Sequence, residues 1–361
     1  MIDDPDNQIK EWPALSAVKF ICVAMLIFVH SHMALITESS IIMNPFGFYY
    51  KVTKGLMFLG LFLVILPAVA GAVLRIDLDK DFIQGKLRKD YDFNQIIKTA
   101  VFLILVGFLM NMIAFGGAYT FSWNVLQLVG LSFVVIVFLL KKFPINTVFW
   151  LGLIALFIGG PLSHLLGSWN YTYLAGVFTG INNSLIVWPF FPWFGVVALG
   201  FLIAHCYLKY KDSAKFRISL LAIGLGLLLV AILRGEISPY LDPNYVWGPS
   251  IVDPKIGWVL ASIGFFCLLV AVANTFLNKR RFSKYGIINS YSKGILWIYV
   301  IQMFASEKLS LIVKRFFPMN GPSTAYFILP ITLLLLCWLI GALCIKFLQG
   351  KSIVIKLRKF Q

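Results

Sequence analysis

PALSAVKFICVAMLIFVHSHMALIT, residues 13–37, is long enough to cross a bilayer and almost wholly apolar. It nevertheless carries Lys19 near one end and His30-Ser31-His32 near the other. Ionisable side chains are expensive at membrane depth, so those found there face protein or a cavity and usually serve a function. The stretch therefore reads as a membrane span with a polar seam, and that reading sets the fold class.

The rest of the chain agrees. Of 361 residues, 60% are hydrophobic and 13% charged, against roughly 45–50% and about 25% in soluble domains. Apolar runs of about 20 residues recur, matching a hydrocarbon core of about 30 Å. The runs are continuous rather than alternating, which indicates helices and not barrel strands. The expectation is an all-α, polytopic transmembrane bundle of about ten spans in one integral-membrane domain over 1–361. The spans fall at 13–37, 52–75, 96–116, 124–141, 145–166, 184–207, 216–234, 256–277, 287–312 and 326–348.

The net charge of +16 would point to nucleic acid in a soluble protein. Here the basic residues gather in alternate short loops, the pattern of cytoplasmic loops beside membrane lipid, so no nucleic-acid partner is expected. Arg75, Lys80, Lys86, Arg88, Lys89 and Lys98 lie between spans two and three, and further clusters follow spans four, six, eight and ten. Loops 117–123 and 167–183 contain neither Lys nor Arg, and 235–255 is mixed. Lys51, Lys54, Lys314 and Arg315 run against the trend. The balance places both termini in the cytoplasm of a multi-pass cell (inner) membrane protein. Lys19 is then at the cytoplasmic end of span one, with His30 and His32 in its outer half. The polar start MIDDPDNQIKEWP leads into a span too long for a signal-peptide core, and no small-residue cleavage site follows, so no cleavable leader is expected.

His30 lies about eleven residues beyond Lys19, roughly 16 Å along a helix. Imidazole titrates near neutrality, which suits it to take a proton from an attacking hydroxyl or amine. His32, two residues on, points elsewhere on the helix. Both are candidate catalytic groups; each also has a plain reading as a hydrogen-bonded packing residue. Lys19, Arg75, Lys86, Arg88 and Lys89 are candidates to grip the phosphates of a donor such as acyl-CoA, as basic side chains can, and equally serve as topology determinants. No phosphate-binding loop, G-x-S-x-G elbow or H-x-x-x-H pattern occurs, and the five cysteines all sit in apolar runs, so no metal is expected. Asn124 and Gln127, three apart, share a helix face, as interhelical hydrogen-bond glue or as substrate contacts. Trp188, Trp193, Tyr291 and Gln302 join them as candidate substrate-binding residues. Pro189 and Pro192 open a helix at membrane depth, which is tolerated only against protein or a cavity. Span nine begins with Asn289, Ser290, Ser292 and Lys293, a polar half-helix. Aromatics of the outer loops, among them Trp169, Tyr171, Tyr173, Tyr240, Tyr245 and Trp247, are interface anchors or a stacking surface for a sugar.

These residues resemble the multi-pass membrane acyltransferases: acyltransferase family 3 and the relatives of heparan-alpha-glucosaminide N-acetyltransferase. SAVKFICVAMLIFVHSH resembles the group's first-span pattern R/D-x-x-R-G-x-A followed by apolar residues and a His or Asn. Lys19 stands where Arg is usual, Ser16 where Asp is usual, and His30 where family 3 keeps its histidine. GLMFLGLFLVILPAVAGAVLR (55–75) is similar to the F-F-x-x-S-G-F-L-L segment, without the Ser. WNVLQLVGLS (123–132) and PFFPWFGVVALG (189–200) are closer to the N-acetyltransferase branch. YSKGILWIYVIQ (291–302) resembles the S-x-x-I-Y-x-x-H ending, with Gln302 at the His position. The branch's second histidine, in the loop after the first span, has no counterpart in 38–51, where Glu38 is the ionisable group before Lys51. The resemblance implies acyl transfer, normally of acetyl, from cytoplasmic acetyl-CoA or another acyl-CoA to an extracytoplasmic sugar or glycolipid acceptor. A homodimer is compatible with it. Two other readings stay open at this point: a transporter or flippase, which would show inverted repeats, and a non-catalytic relative.

Overall fold

The computed structural model describes residues 12–35, 64–83, 93–166, 172–180, 186, 188–210, 213–235, 256–277, 288, 292, 294–316, 331–337, 339 and 343. They form α1 (Pro13–Leu35), α2 (Leu66–Ile83), α3 (Phe93–Phe115), α4 (Val125–Lys142) and α5 (Asn146–Leu166). These are followed by α6 (Thr172–Thr179), α7 (Phe190–Tyr210), α8 (Ala214–Leu233), α9 (Ile256–Phe276) and α10 (Ile295–Phe316). The described residues contain no β-strand, only one isolated bridge between Trp123 and Ile186. Six helices, α3, α4, α5, α7, α8 and α9, are long and apolar enough to cross a membrane, with shorter apolar stretches at Pro13–Phe28 and Ile295–Ser306. The all-α membrane architecture is thus present. Residues 52–63 of span two and most of 326–348 lie outside the described residues.

The chain divides into two compact units, Met1–Leu15 with Val64–Phe276, and Ser16–Leu63 with Leu277–Gln361. In the first, α7 is the central helix: Trp193, Val196, Val197, Ala198, Phe201 and Ala204 are all buried. It packs on α2 along one side and α5 along the other. Close approach to α2 depends on Gly71, which lies against the Val197 carbonyl, and Gly200, which lies against the Ala68 carbonyl. Small residues let apolar helices pack backbone to backbone, where lipid supplies no hydrophobic drive between them. α3 and α4 form an antiparallel hairpin, and α8 pairs with α9 through Gly224 and Gly264, each facing the other's carbonyl. The outward faces of α3, α5 and α8 expose Leu105, Trp150, Phe157, Leu225 and Leu233, the last 77% exposed. So broad an apolar surface has lipid, not water, as its natural solvent.

Two boundaries differ from the expectation. Span six starts at Phe190 rather than 184, and Phe191 is still non-helical at φ −98°, ψ 129°. The ring of Pro192 disfavours the α conformation in the residue before it. The helix that carries span two does not end at Arg75: α2 continues to Ile83 through IDLDKDFI, which contains neither Gly nor Pro to end it.

In the second unit, α1 packs on α10 through a core of Val23, Ile27, Ile298, Leu333 and Cys337, with Phe20, Ile295, Ile301, Ala305 and Leu334 around it. Ser16 meets Ser292 and His30 meets Gln302, so the two helices run parallel.

Candidate functional site

The seam predicted in 13–37 is present on the face that α1 turns to α10. At its start Lys19 Nζ donates to Ser292 Oγ at 3.5 Å, and Ser292 Oγ donates to Ser16 Oγ at 3.0 Å. Ser292 is buried, while Ser16 and Lys19 are partly exposed. Two of the positions at which the chain departs from the resembled motif, Ser16 and Lys19, therefore meet at one hydroxyl. Further along, His30 Nδ1 lies 3.2 Å from Gln302 Oε1. The amide oxygen accepts, so Nδ1 carries a proton, and in the neutral ring Nε2 keeps its lone pair. Gln302 is completely buried, and its Nε2 finds no hydrogen-bond partner among the described residues. A primary amide that holds a histidine by its oxygen fixes the ring's tautomer and orientation. His32 continues the helical backbone of α1; its side chain lies outside the described residues, as do Lys86, Arg88, Lys89 and Tyr291.

A second polar node closes the α3–α4 hairpin. Asn124 is the N-cap of α4: its side chain accepts from Leu126 N–H at 2.9 Å and donates to Asn111 Oδ1 at 2.7 Å. Gln127 completes a capping box, accepting from Asn124 N–H at 3.1 Å and donating to the Ser122 carbonyl at 3.2 Å. Asn111 donates to the same carbonyl at 2.5 Å. Gly107 leaves room for the Gln127 amide. Beside this node, Trp123, Val177 and Ile186 form a small core on which Tyr173 and Leu131 pack. The Tyr173 hydroxyl donates to the Phe121 carbonyl at 2.6 Å, and burial pushes the phenol above its ordinary range, so it stays a donor at neutral pH.

Trp188, just before α7, and Trp193 within it are both buried and in contact, ring centroids 4.8 Å apart. Arg75 Nε donates to His205 Nδ1 at 3.3 Å. Trp12 stacks on Tyr207 at 4.1 Å and donates to Asn274 Oδ1 at 2.9 Å. Among the described residues no three His, Cys, Asp or Glu side chains gather as metal ligands. The structure therefore joins Lys19 to Ser292, His30 to Gln302, Asn124 to Gln127 and Trp188 to Trp193. It adds Ser306, one turn beyond Gln302 and buried, with a hydroxyl that has no partner among the described residues. The four-residue spacing of Gln302 and Ser306 is the sequence signal for it.

The model of one known family, described as heparan-alpha-glucosaminide N-acetyltransferase, catalytic, matches residues 13–241. The match covers well over half the chain and takes in Lys19, His30, Arg75 and the α3–α4 hairpin; it ends before Ser292 and Gln302. No curated protein matches the chain. Of the two groups that the motifs resemble, the match is to the N-acetyltransferase one, whose general donor is acetyl-CoA. The chain belongs to the heparan-alpha-glucosaminide N-acetyltransferase catalytic family, a family of acetyltransferases.

Proposed function

We propose that the protein transfers an acetyl group from cytoplasmic acetyl-CoA to a sugar of a glycan or glycolipid on the outer side of the cell membrane, with His30 as general base. The observation that carries this reading is the His30–Gln302 pair inside the α1–α10 seam. With Nδ1 engaged, Nε2 takes the proton of the acceptor hydroxyl or amine as that atom attacks the thioester carbonyl carbon. The new C–O or C–N bond forms, the C–S bond breaks, and CoA leaves as a thiolate that takes up a proton. General-base assistance of this kind contributes about 10²–10⁴ in rate.

Donor and acceptor enter from opposite sides in this reading. Lys19, Arg75, Lys86, Arg88 and Lys89 supply positive charge for the CoA phosphates on the cytoplasmic side. The Trp- and Tyr-rich outer segments and Tyr291 supply apolar faces for sugar rings. The test is CoA release from acetyl-CoA by the purified protein, followed with and without an amino sugar such as glucosamine and with a native membrane lipid extract. Acceptor-dependent CoA release supports the reading. No release with any acceptor class would leave the family's activity absent from this chain.

A further inference from the structure

Four hydroxyls embedded in helices here satisfy themselves on the carbonyl one turn back, whereas those of buried Ser132 and Ser306 find no partner among the described residues. Thr99 bonds to Gln95, Thr179 to Ala175, Ser262 to Trp258 and Thr275 to Ala271, at 2.7–2.9 Å. Ser306 has Gln302 in the same relation, is 3% exposed, and does not make that bond. Gln302, 0% exposed, gives its oxygen to His30 and leaves its N–H₂ without a partner among the described residues. Two donors four residues apart project from one face of α10, and the amide that carries the first holds the imidazole by its oxygen. A buried donor left unpaired costs about 1–3 kcal/mol, and two in succession call for an acceptor atom between them.

We propose that the Gln302 N–H and the Ser306 O–H are the oxyanion-binding pair of the acyl-transfer step, receiving the thioester carbonyl oxygen as it becomes negative. The inference rests on the acetyl-transfer reading above and specifies where its charge develops. As the acceptor attacks, the carbonyl π electrons move onto oxygen, which lies against the two donors, while His30 Nε2 takes the acceptor's proton. Collapse returns the electrons to carbon and expels CoA thiolate. One amide thus serves both ends of the reaction: its oxygen orients the base and its nitrogen meets the oxyanion.

Ser306→Ala isolates the pair, because it leaves the His30–Gln302 contact intact. Removing one oxyanion donor lowers kcat by about 10²–10³. Full-length protein with Ser306→Ala is therefore expected to lose about 100-fold or more in kcat with glucosamine as acceptor, with the acetyl-CoA KM within about twofold, while Ser306→Thr retains activity. Gln302→Glu, which keeps an oxygen for His30 and removes the N–H, is expected to lose a similar factor. If Ser306→Ala keeps wild-type kcat and gains thermal stability, the hydroxyl only holds water and the pair is overturned while the transfer reading stands. If the wild-type protein releases no CoA from acetyl-CoA, the transfer reading falls and takes the pair with it.

Discussion

Asn124→Ala removes the acceptor of Leu126 N–H and the donor to Asn111 Oδ1 in one change. Loss of an N-cap alone costs about 0.5–2 kcal/mol, and Asn111 then has an unpaired oxygen as well. Equilibrium unfolding in mixed micelles is expected to shift by about 1–3 kcal/mol, with the acceptor KM of the remaining folded protein unchanged. A raised acceptor KM at unchanged stability would make Asn124 a substrate contact instead. The residue scale also shows where sequence reading reaches its limit. Spacing places Asn124 and Gln127 on one face, yet the pair acts through a helix terminus, whose position depends on where the α3–α4 turn ends. His30 stands out in the sequence because nothing else in its span except Lys19 and His32 carries a charge near neutral pH. Gln302 is also marked in the sequence, as a candidate substrate contact, but its pairing with His30 across 272 positions is not.

At the scale of elements, glycine decides which helices touch. A Cβ at Gly200 would strike the Ala68 backbone, which cannot yield as a flexible side chain would. Overpacking of this kind costs about 1–3 kcal/mol or more. Gly200→Ala is expected to lower the thermal midpoint in detergent and to loosen α2 from α7. Gly226 is the control, because a Cβ added there would meet nothing within 4 Å. Gly226→Ala should be neutral or stabilising by up to about 1 kcal/mol, the helix-propensity difference. Equal effects at the two sites would remove close packing as the explanation. Apolar length is legible for these helices, which is why six spans fall where hydropathy places them. The start of α7 is not legible to the residue, because hydropathy is uniform across 185–194 and the backbone conformation of Phe191 is imposed by the following proline.

For the whole molecule, the loop charges predict a cytoplasmic amino terminus and an outward α3–α4 turn. With Cys206, which is exposed, replaced by Ser, cysteine at Tyr119 should react with an impermeant maleimide added outside intact cells. Tyr119 is 48% exposed in that turn. Cysteine at Tyr210, 54% exposed at the end of α7, should react only after the membrane is opened. Reversed labelling would invert the topology and put the basic cluster proposed to bind the donor on the wrong side. The loop charges already give spans one and nine one direction; that α1 and α10 are neighbours emerges only when Ser16 is seen beside Ser292 and His30 beside Gln302.

The central claim is that His30 moves the acceptor's proton, and the turnover of His30→Ala tests it most directly. CoA release from acetyl-CoA in the presence of acceptor should fall by about 10²-fold or more, with the acetyl-CoA KM near wild type and the unfolding midpoint preserved. His32→Ala, directed elsewhere on α1, should keep most of the rate. A folded His30→Ala protein that releases CoA at the wild-type rate would contradict the account.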